Sequence, residues 1–136
     1  MKIALVVSDF NSEVTTLMRD RARSHAESRG ASISHEIHVP GVFDMPLAVK
    51  KLLQRDDVDG VVLIGAVIKG DTLHDELIAH ATARAASDLA LQYGKPVALG
   101  VTGPGMTTEQ AFDRIENARN AVDSVVRMIR ALKEIV

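Results

Sequence analysis

The chain has 136 residues, 46% hydrophobic and 25% charged, which suits one soluble domain with a single core and is too short for two. Its net charge of −2, with no long basic run, argues against sequence-independent nucleic-acid binding, and no apolar run is long enough for a transmembrane helix. The absence of cysteine excludes a disulfide scaffold, a cysteine-ligated zinc or iron–sulfur site and a thiol nucleophile.

The opening segment, MKIALVVSDF, has one lysine and a short apolar run. It reads as a first strand over residues 3–7, buried on both faces. A signal peptide would need a longer apolar stretch and a small-residue cleavage site, so the expectation is a cytoplasmic protein. Val14, Leu17, Met18, Ala22 and Ala26 follow helical spacing, and Gly30 stops that helix. Residues 33–39 alternate apolar and polar, as in an edge strand, until Pro40-Gly41. Asp44 is placed to cap a helix over 45–54, with Pro46 tolerated in its first turn. After a turn at Asp56, Asp57 and Asp59, residues 61–64 form a third buried strand, followed by a glycine-bounded loop over 65–71. Residues 72–93 read as a long alanine-rich helix, closed by Gly94-Lys95-Pro96. Residues 97–101 make a fourth strand, and Gly103-Pro104-Gly105 a loop. Thr107 and Gln110 fit a capping box. One helical pattern then runs to the end, with Val122, Val125, Val126, Ile129, Leu132 and Val136 in one stripe that could cover the sheet or dock on a neighbouring subunit.

Strands alternating with helices imply a parallel sheet with right-handed crossovers, covered by helices on both faces. No linker, repeat or low-complexity segment interrupts residues 1–136, so they form one domain. Only three phenylalanines and one tyrosine are aromatic. Aliphatic side chains must therefore build the core, and an aromatic in a loop needs its own explanation.

In an open parallel sheet, ligands bind outside the carboxyl ends of the strands. That rule selects residues 8–11, 39–44, 65–74 and 102–106, which contain Phe10, Phe43 and most glycines outside ordinary turns. Gly70-Asp71-Thr72 opens a helix directly after a strand. It reads either as a plain helix N-terminus or as an anion site built on backbone N–H groups, which would need a distant cation because Asp71 is acidic. His74 lies in the first turn of that helix. It is either a general acid or base or a solvated histidine. Asp71, His74 and Asp75 share a helix face, but no second histidine joins them, since His80 points elsewhere; no metal site is assigned. His25, His35 and His38 read as a helix-surface position and two strand faces. Phe10 and Phe43 are core residues or stacking surfaces for a planar ring. Asp44 is a helix cap with a second role open, and Arg114 alone reads as a surface residue. No P-loop, dinucleotide fingerprint or nucleophile elbow is present, which argues against ATP and NAD chemistry.

Four segments occur in one order: FN at 10–11, PGVFDMPLA at 40–48, GAVIKGDTLHDE at 65–76 and EQAFDR at 109–114. Together they resemble the 6,7-dimethyl-8-ribityllumazine synthase family over nearly the whole chain, and the GPGM loop and the Asp after His74 are most like its archaeal branch. The resemblance implies a flavodoxin-like three-layer αβα sandwich with a four-stranded parallel sheet. It implies pentamers with active sites between adjacent subunits, and condensation of 5-amino-6-(D-ribitylamino)uracil with 3,4-dihydroxy-2-butanone 4-phosphate without cofactor or metal. By the same resemblance, Phe10 stacks on the pyrimidine, and Val42, Phe43 and Asp44 line the ribityl chain. Ala66, Val67 and Ile68 meet the pyrimidine edge through backbone groups. Asp71 and Thr72 offer backbone N–H groups to the phosphate, and Arg114 supplies the cation. His74 shuttles protons, and Leu99 contacts the pyrimidine in the neighbouring subunit's site.

Asp44 stands where bacterial members commonly have Glu, Leu99 where they have Phe, and Ala118 where they have Lys, with Arg119 as a substitute. Pentamer-limited members often carry an insertion before the last helix. None lies between Arg114 and Val122, which points to a sixty-subunit capsid of twelve pentamers. The competing expectations are an archaeal-type riboflavin synthase paralogue and a non-catalytic flavin- or lumazine-binding shell protein.

Overall fold

In the computed structural model, which describes residues 1–70 and 74–135, the first apolar run forms β1 (Lys2–Ser8). Residues 3–7 are all buried, as a strand sandwiched between two helical layers requires. α1 (Ser12–Ser28) follows. Gly30 ends it in the left-handed region, with φ 75°. The N–H groups of Gly30 and Ala31 donate back to the carbonyls of Glu27 and Ala26, a Schellman closure. The chain continues through β2 (Ser32–Val39), a single 3-10 turn (Val42–Asp44), α2 (Met45–Leu53), β3 (Gly60–Ile68), α3 (His74–Tyr93), β4 (Val97–Met106), α4 (Thr108–Asp113) and α5 (Asn117–Glu134).

Among the described residues the sheet has four strands in the order β2-β1-β3-β4, all parallel. This is the flavodoxin-like order short of its fifth strand, and β2 is an edge, as its alternation predicts. Side chains alternate between two cores. Ile3, Leu5, Val62 and Ile64 face α1 and α5, whereas Ala4, Val6, Val61 and Leu63 face α2 and α3. The result is a three-layer αβα sandwich. The stripe on α5 covers the sheet: Val122, Val125, Val126 and Ile129 are buried in the same core as Val62 and Ala98. Val136 lies outside the described residues.

The structure corrects three sequence expectations here. β3 and β4 run on through segments that read as loops. Their register continues through Gly65↔Val101 and Ala66↔Thr102 and, after an irregularity, Ile68↔Met106. Gly103 permits this: it takes φ 105°, and a Cβ there would collide with the Val67 carbonyl. The final helix is two helices. At the break, the N–H groups of Arg114, Ile115, Asn117 and Ala118 bond three residues back, tightening the chain into a 3-10-like turn. Ala111, Ile115, Ala118 and Val122 stay on one core, so apolar periodicity passes through the break unchanged. Finally, His25 is no surface residue. α5 packs over it, and its Nε2 lies 2.7 Å from Asp123 Oδ1 in a part-buried pair.

Candidate active site

β1 is followed by β2 on one side and, after α2, by β3 on the other, so the crossovers diverge above the carboxyl ends of β1 and β3. A crevice must open at such a switch point. The cleft found there has a volume of about 340 Å³ and is lined by Phe10, Asn11, residues 41–44, residues 66–68, Gly70, His74, Asp75 and Ile78.

The floor of the cleft begins where β1 ends. The N–H groups of Asp9 and Phe10 donate to the Val39 and Pro40 carbonyls at 2.8 and 3.1 Å, carrying the β1–β2 pairing past both strands. Asn11 then turns the chain with φ 62° and ψ 44°, a conformation that a short polar side chain tolerates. Its carbonyl accepts from the Val14 and Thr15 N–H groups to start α1. Its Nδ2 donates to the Ala66 carbonyl at 3.0 Å, tying this corner to β3. Phe10, held between these anchors, leaves its ring 70% exposed.

The wall is the 3-10 turn. Val42 is buried, and its carbonyl accepts from the Thr82 hydroxyl at 3.3 Å. It seats against Gly65, where a Cβ would lie 2.7 Å from Val42 Cγ2. Phe43 points out and is 64% exposed. Asp44 departs from the sequence reading. It occupies the N-cap position of α2 but makes no side-chain cap there. Its Oδ2 instead accepts from the Gly41 N–H at 3.0 Å. The reason is that the turn runs straight into α2: the Asp44 and Met45 N–H groups find the Gly41 and Val42 carbonyls, so the donor needing a partner is upstream.

From β3, Ala66 and Val67 are buried and Ile68 is half-buried, all lining the cleft. His74 opens α3 and also lines it. Asp75, beside it, is 7% exposed, and its Oδ2 accepts from the Gly105 N–H at 2.9 Å. Sequence spacing considered Asp75 only as one of a metal set; its partner thirty residues onward leaves no periodic signal. Among the described residues no group of three or more His, Asp or Glu is arranged to hold a metal ion.

One chain thus gathers Phe10, Val42, Phe43, Asp44, Ala66, Val67, Ile68 and His74. Asp71 and Thr72 lie outside the described residues. Leu99 is apart, 45% exposed on the outer strand β4, in a separate apolar groove with His80 and Pro104. Arg114 ends α4, is exposed and does not line the cleft.

The shifted titrations lie outside the cleft. The Glu36 hydrogen bond (2.8 Å), with Asp9 beside it, raises the His38 pKa. At Glu36, partial burial pulls upward, but hydrogen bonds from His38 and Arg23 and the charges of Arg19 and Arg23 outweigh it and lower the pKa. At Asp123, burial likewise pulls upward, and His25 and Arg29 together lower the pKa.

Residues 1–133 match the sequence model of a family described as 6,7-dimethyl-8-ribityllumazine synthase. Curated relatives of that name are similar along nearly the whole chain. One from Methanococcus maripaludis is 53% identical over 135 residues, covering 99% of this chain and 98% of its own. Another, from Methanocaldococcus jannaschii, is 53% identical over 133 residues, covering 98% and 94%. A third, from Methanopyrus kandleri, is 50% identical over 135 residues, covering 99% and 96%.

Proposed function

The chain belongs to the 6,7-dimethyl-8-ribityllumazine synthase family, and from that premise we propose that it condenses 5-amino-6-(D-ribitylamino)uracil with 3,4-dihydroxy-2-butanone 4-phosphate, releasing phosphate and water. The observation that carries this reading is the cleft at the β1/β3 switch point, where two exposed aromatic side chains, Phe10 and Phe43, a run of strand backbone and one histidine meet in a chain about half identical to proteins of that name.

The roles follow from the chemistry of each wall. Phe10 offers a flat face to the pyrimidine. Residues 66–68 border it with backbone groups, which read a ring edge without adding charge. Phe43 flanks the ribityl chain beside Val42. Asp44 accepts from its hydroxyls with Oδ1, because Oδ2 is committed to Gly41. His74 carries protons as the amine of one substrate forms an imine with the ketone of the other and as phosphate departs. The phosphate role that the family resemblance gives Asp71 and Thr72 belongs to the same proposal.

Leu99 and Arg114 lie outside the cleft of their own chain. We propose that they serve the cleft of a neighbouring copy, Leu99 against the pyrimidine and Arg114 on the phosphate. By the family resemblance the unit is a pentamer, and the absence of an insertion between Arg114 and Val122 favours twelve pentamers in a shell. No helix among the described residues is long and apolar enough to cross a membrane, and a cytoplasmic site of action accompanies this reading.

The test is one assay with both substrates, following lumazine absorbance and free phosphate together. Equal release of the two, without added metal or nucleotide, is the expected result. Conversion of supplied lumazine to riboflavin, with no phosphate chemistry, would replace this reading with the riboflavin synthase paralogue.

A further inference from the structure

The segment leading from β3 to His74 is tied at both feet to two consecutive residues of β4. Before it, the Lys69 N–H donates to the Met106 carbonyl at 2.7 Å. After it, Asp75 Oδ2 accepts from the Gly105 N–H at 2.9 Å. Gly105 is held in turn. It takes φ 78° and sits between Met106, paired with Ile68, and the close approach of Gly103 to Val67. Asp75 is buried although its neighbours in the first turn of α3, His74 and Glu76, are exposed. A buried carboxylate is costly unless bonded, and a charge-assisted bond to a backbone N–H is among the stronger ways to satisfy it.

We infer that Asp75 is a positioning residue: it docks the first turn of α3 on the end of β4 and so sets where His74 stands over the cleft. The assignment of a proton-transfer role to His74 rests on the synthase reading; the docking itself does not. The bond, and not the charge, is what matters, because the acceptor oxygen alone fixes the turn. Asparagine keeps such an oxygen and alanine does not.

The experiment compares Asp75→Ala and Asp75→Asn in the assembled enzyme by steady-state kinetics and by hydrogen exchange. Asp75→Ala is expected to lower kcat by about 10- to 100-fold, the scale of a small misplacement of a reacting group, while KM for the pyrimidine substrate stays within about twofold because Phe10 and residues 66–68 are untouched. Asp75→Asn should recover most of that loss without moving the pH dependence of kcat. Peptides covering 69–80 and 103–107 should exchange faster in Asp75→Ala. A kcat for Asp75→Ala within about twofold of the parent, Asp75→Asn as damaged as alanine, or unchanged exchange would each overturn the inference. Should Asp75→Ala not fold, Asp75→Asn decides alone: a kcat below roughly a tenth of the parent, or a displaced pH profile, overturns it. An inactive parent would instead sink the synthase reading and leave the exchange comparison to judge the docking.

Discussion

Among the described residues His74 is the one histidine lining the cleft, and the others are aromatic, aliphatic or glycine apart from Asn11, whose Nδ2 donates to the Ala66 carbonyl, and two carboxylates that accept from Gly41 and Gly105. Most of the acceleration should therefore come from holding two substrates in a reactive geometry, with proton transfer contributing about 10²–10⁴-fold. His74→Ala is expected to slow turnover within that range and retain residual product formation. Loss of all detectable activity in folded, assembled protein would contradict this division. Arg114→Ala should raise KM for the phosphate substrate with a smaller change in kcat; an unchanged KM would remove Arg114 from the phosphate site. At this scale the sequence was a good guide to three of the four segments, since residues of 8–11, 39–44 and 65–74 line the cleft and none of 102–106 does, because the carboxyl-end rule needs only strand positions and a shared direction. It misjudged Asp44 and His25 and gave Asp75 no structural role. Each of these has a partner contributed by tertiary packing or by an unforeseen turn.

At the scale of elements, the close approaches that shape the sheet depend on missing side chains. A Cβ on Gly100 would lie 2.6 Å from the Leu63 carbonyl oxygen of the adjacent strand, which cannot yield without disturbing the β3–β4 ladder. At Gly65 the nearest obstacles are the side chains of Val42, Ser8 and Met45, which can shift. Gly100→Ala is thus expected to cost more stability than Gly65→Ala, about 1–3 kcal/mol against a smaller loss, read from urea denaturation of the two variants. Equal midpoints would mean that the strands part more easily than this packing implies. The same crowding explains why the ends of β3 and β4 were hidden in the sequence. Glycines at 65, 103 and 105 resemble loop punctuation, yet at Gly103 strand and neighbour come too close for any other residue.

For the whole molecule, charge pairs tie α1 to the edge strand β2 and to α5. His38 on β2 sits between Glu36 and Asp9, and Glu36 also receives Arg19 and Arg23 from α1. The raised His38 pKa means that its contribution is complete below about pH 6.5 and fades as pH rises through the raised value. The lowered Glu36 and Asp123 pKa values act oppositely: their contributions hold above about pH 4 and fade as pH falls through the lowered values. Melting temperature should therefore decline on both sides of a weakly acidic plateau, and His38→Gln should flatten the alkaline slope. An identical slope in parent and variant would show that His38 is not responsible. Assembly gives a second prediction. If each site combines His74 of one copy with Arg114 of the next, co-assembling His74→Ala and Arg114→Ala subunits in equal amounts should restore roughly a quarter of the sites. No recovery above either variant alone would place both residues in one chain's site.

The sequence by itself determined the α/β alternation, the burial of β1, the edge position of β2, the Gly30 closure and the end of the sheet where the cleft lies. These follow from local periodicity, turn chemistry and the alternation of strands with helices, which are written within a few residues of where they act. Only the tertiary structure decided how far β3 and β4 run, where the last helix breaks, what Asp44, His25 and Asp75 bond, and that Leu99 and Arg114 stand outside their own chain's cleft. Those outcomes depend on contacts between segments distant along the chain, where packing and open hydrogen-bond partners outweigh local preference.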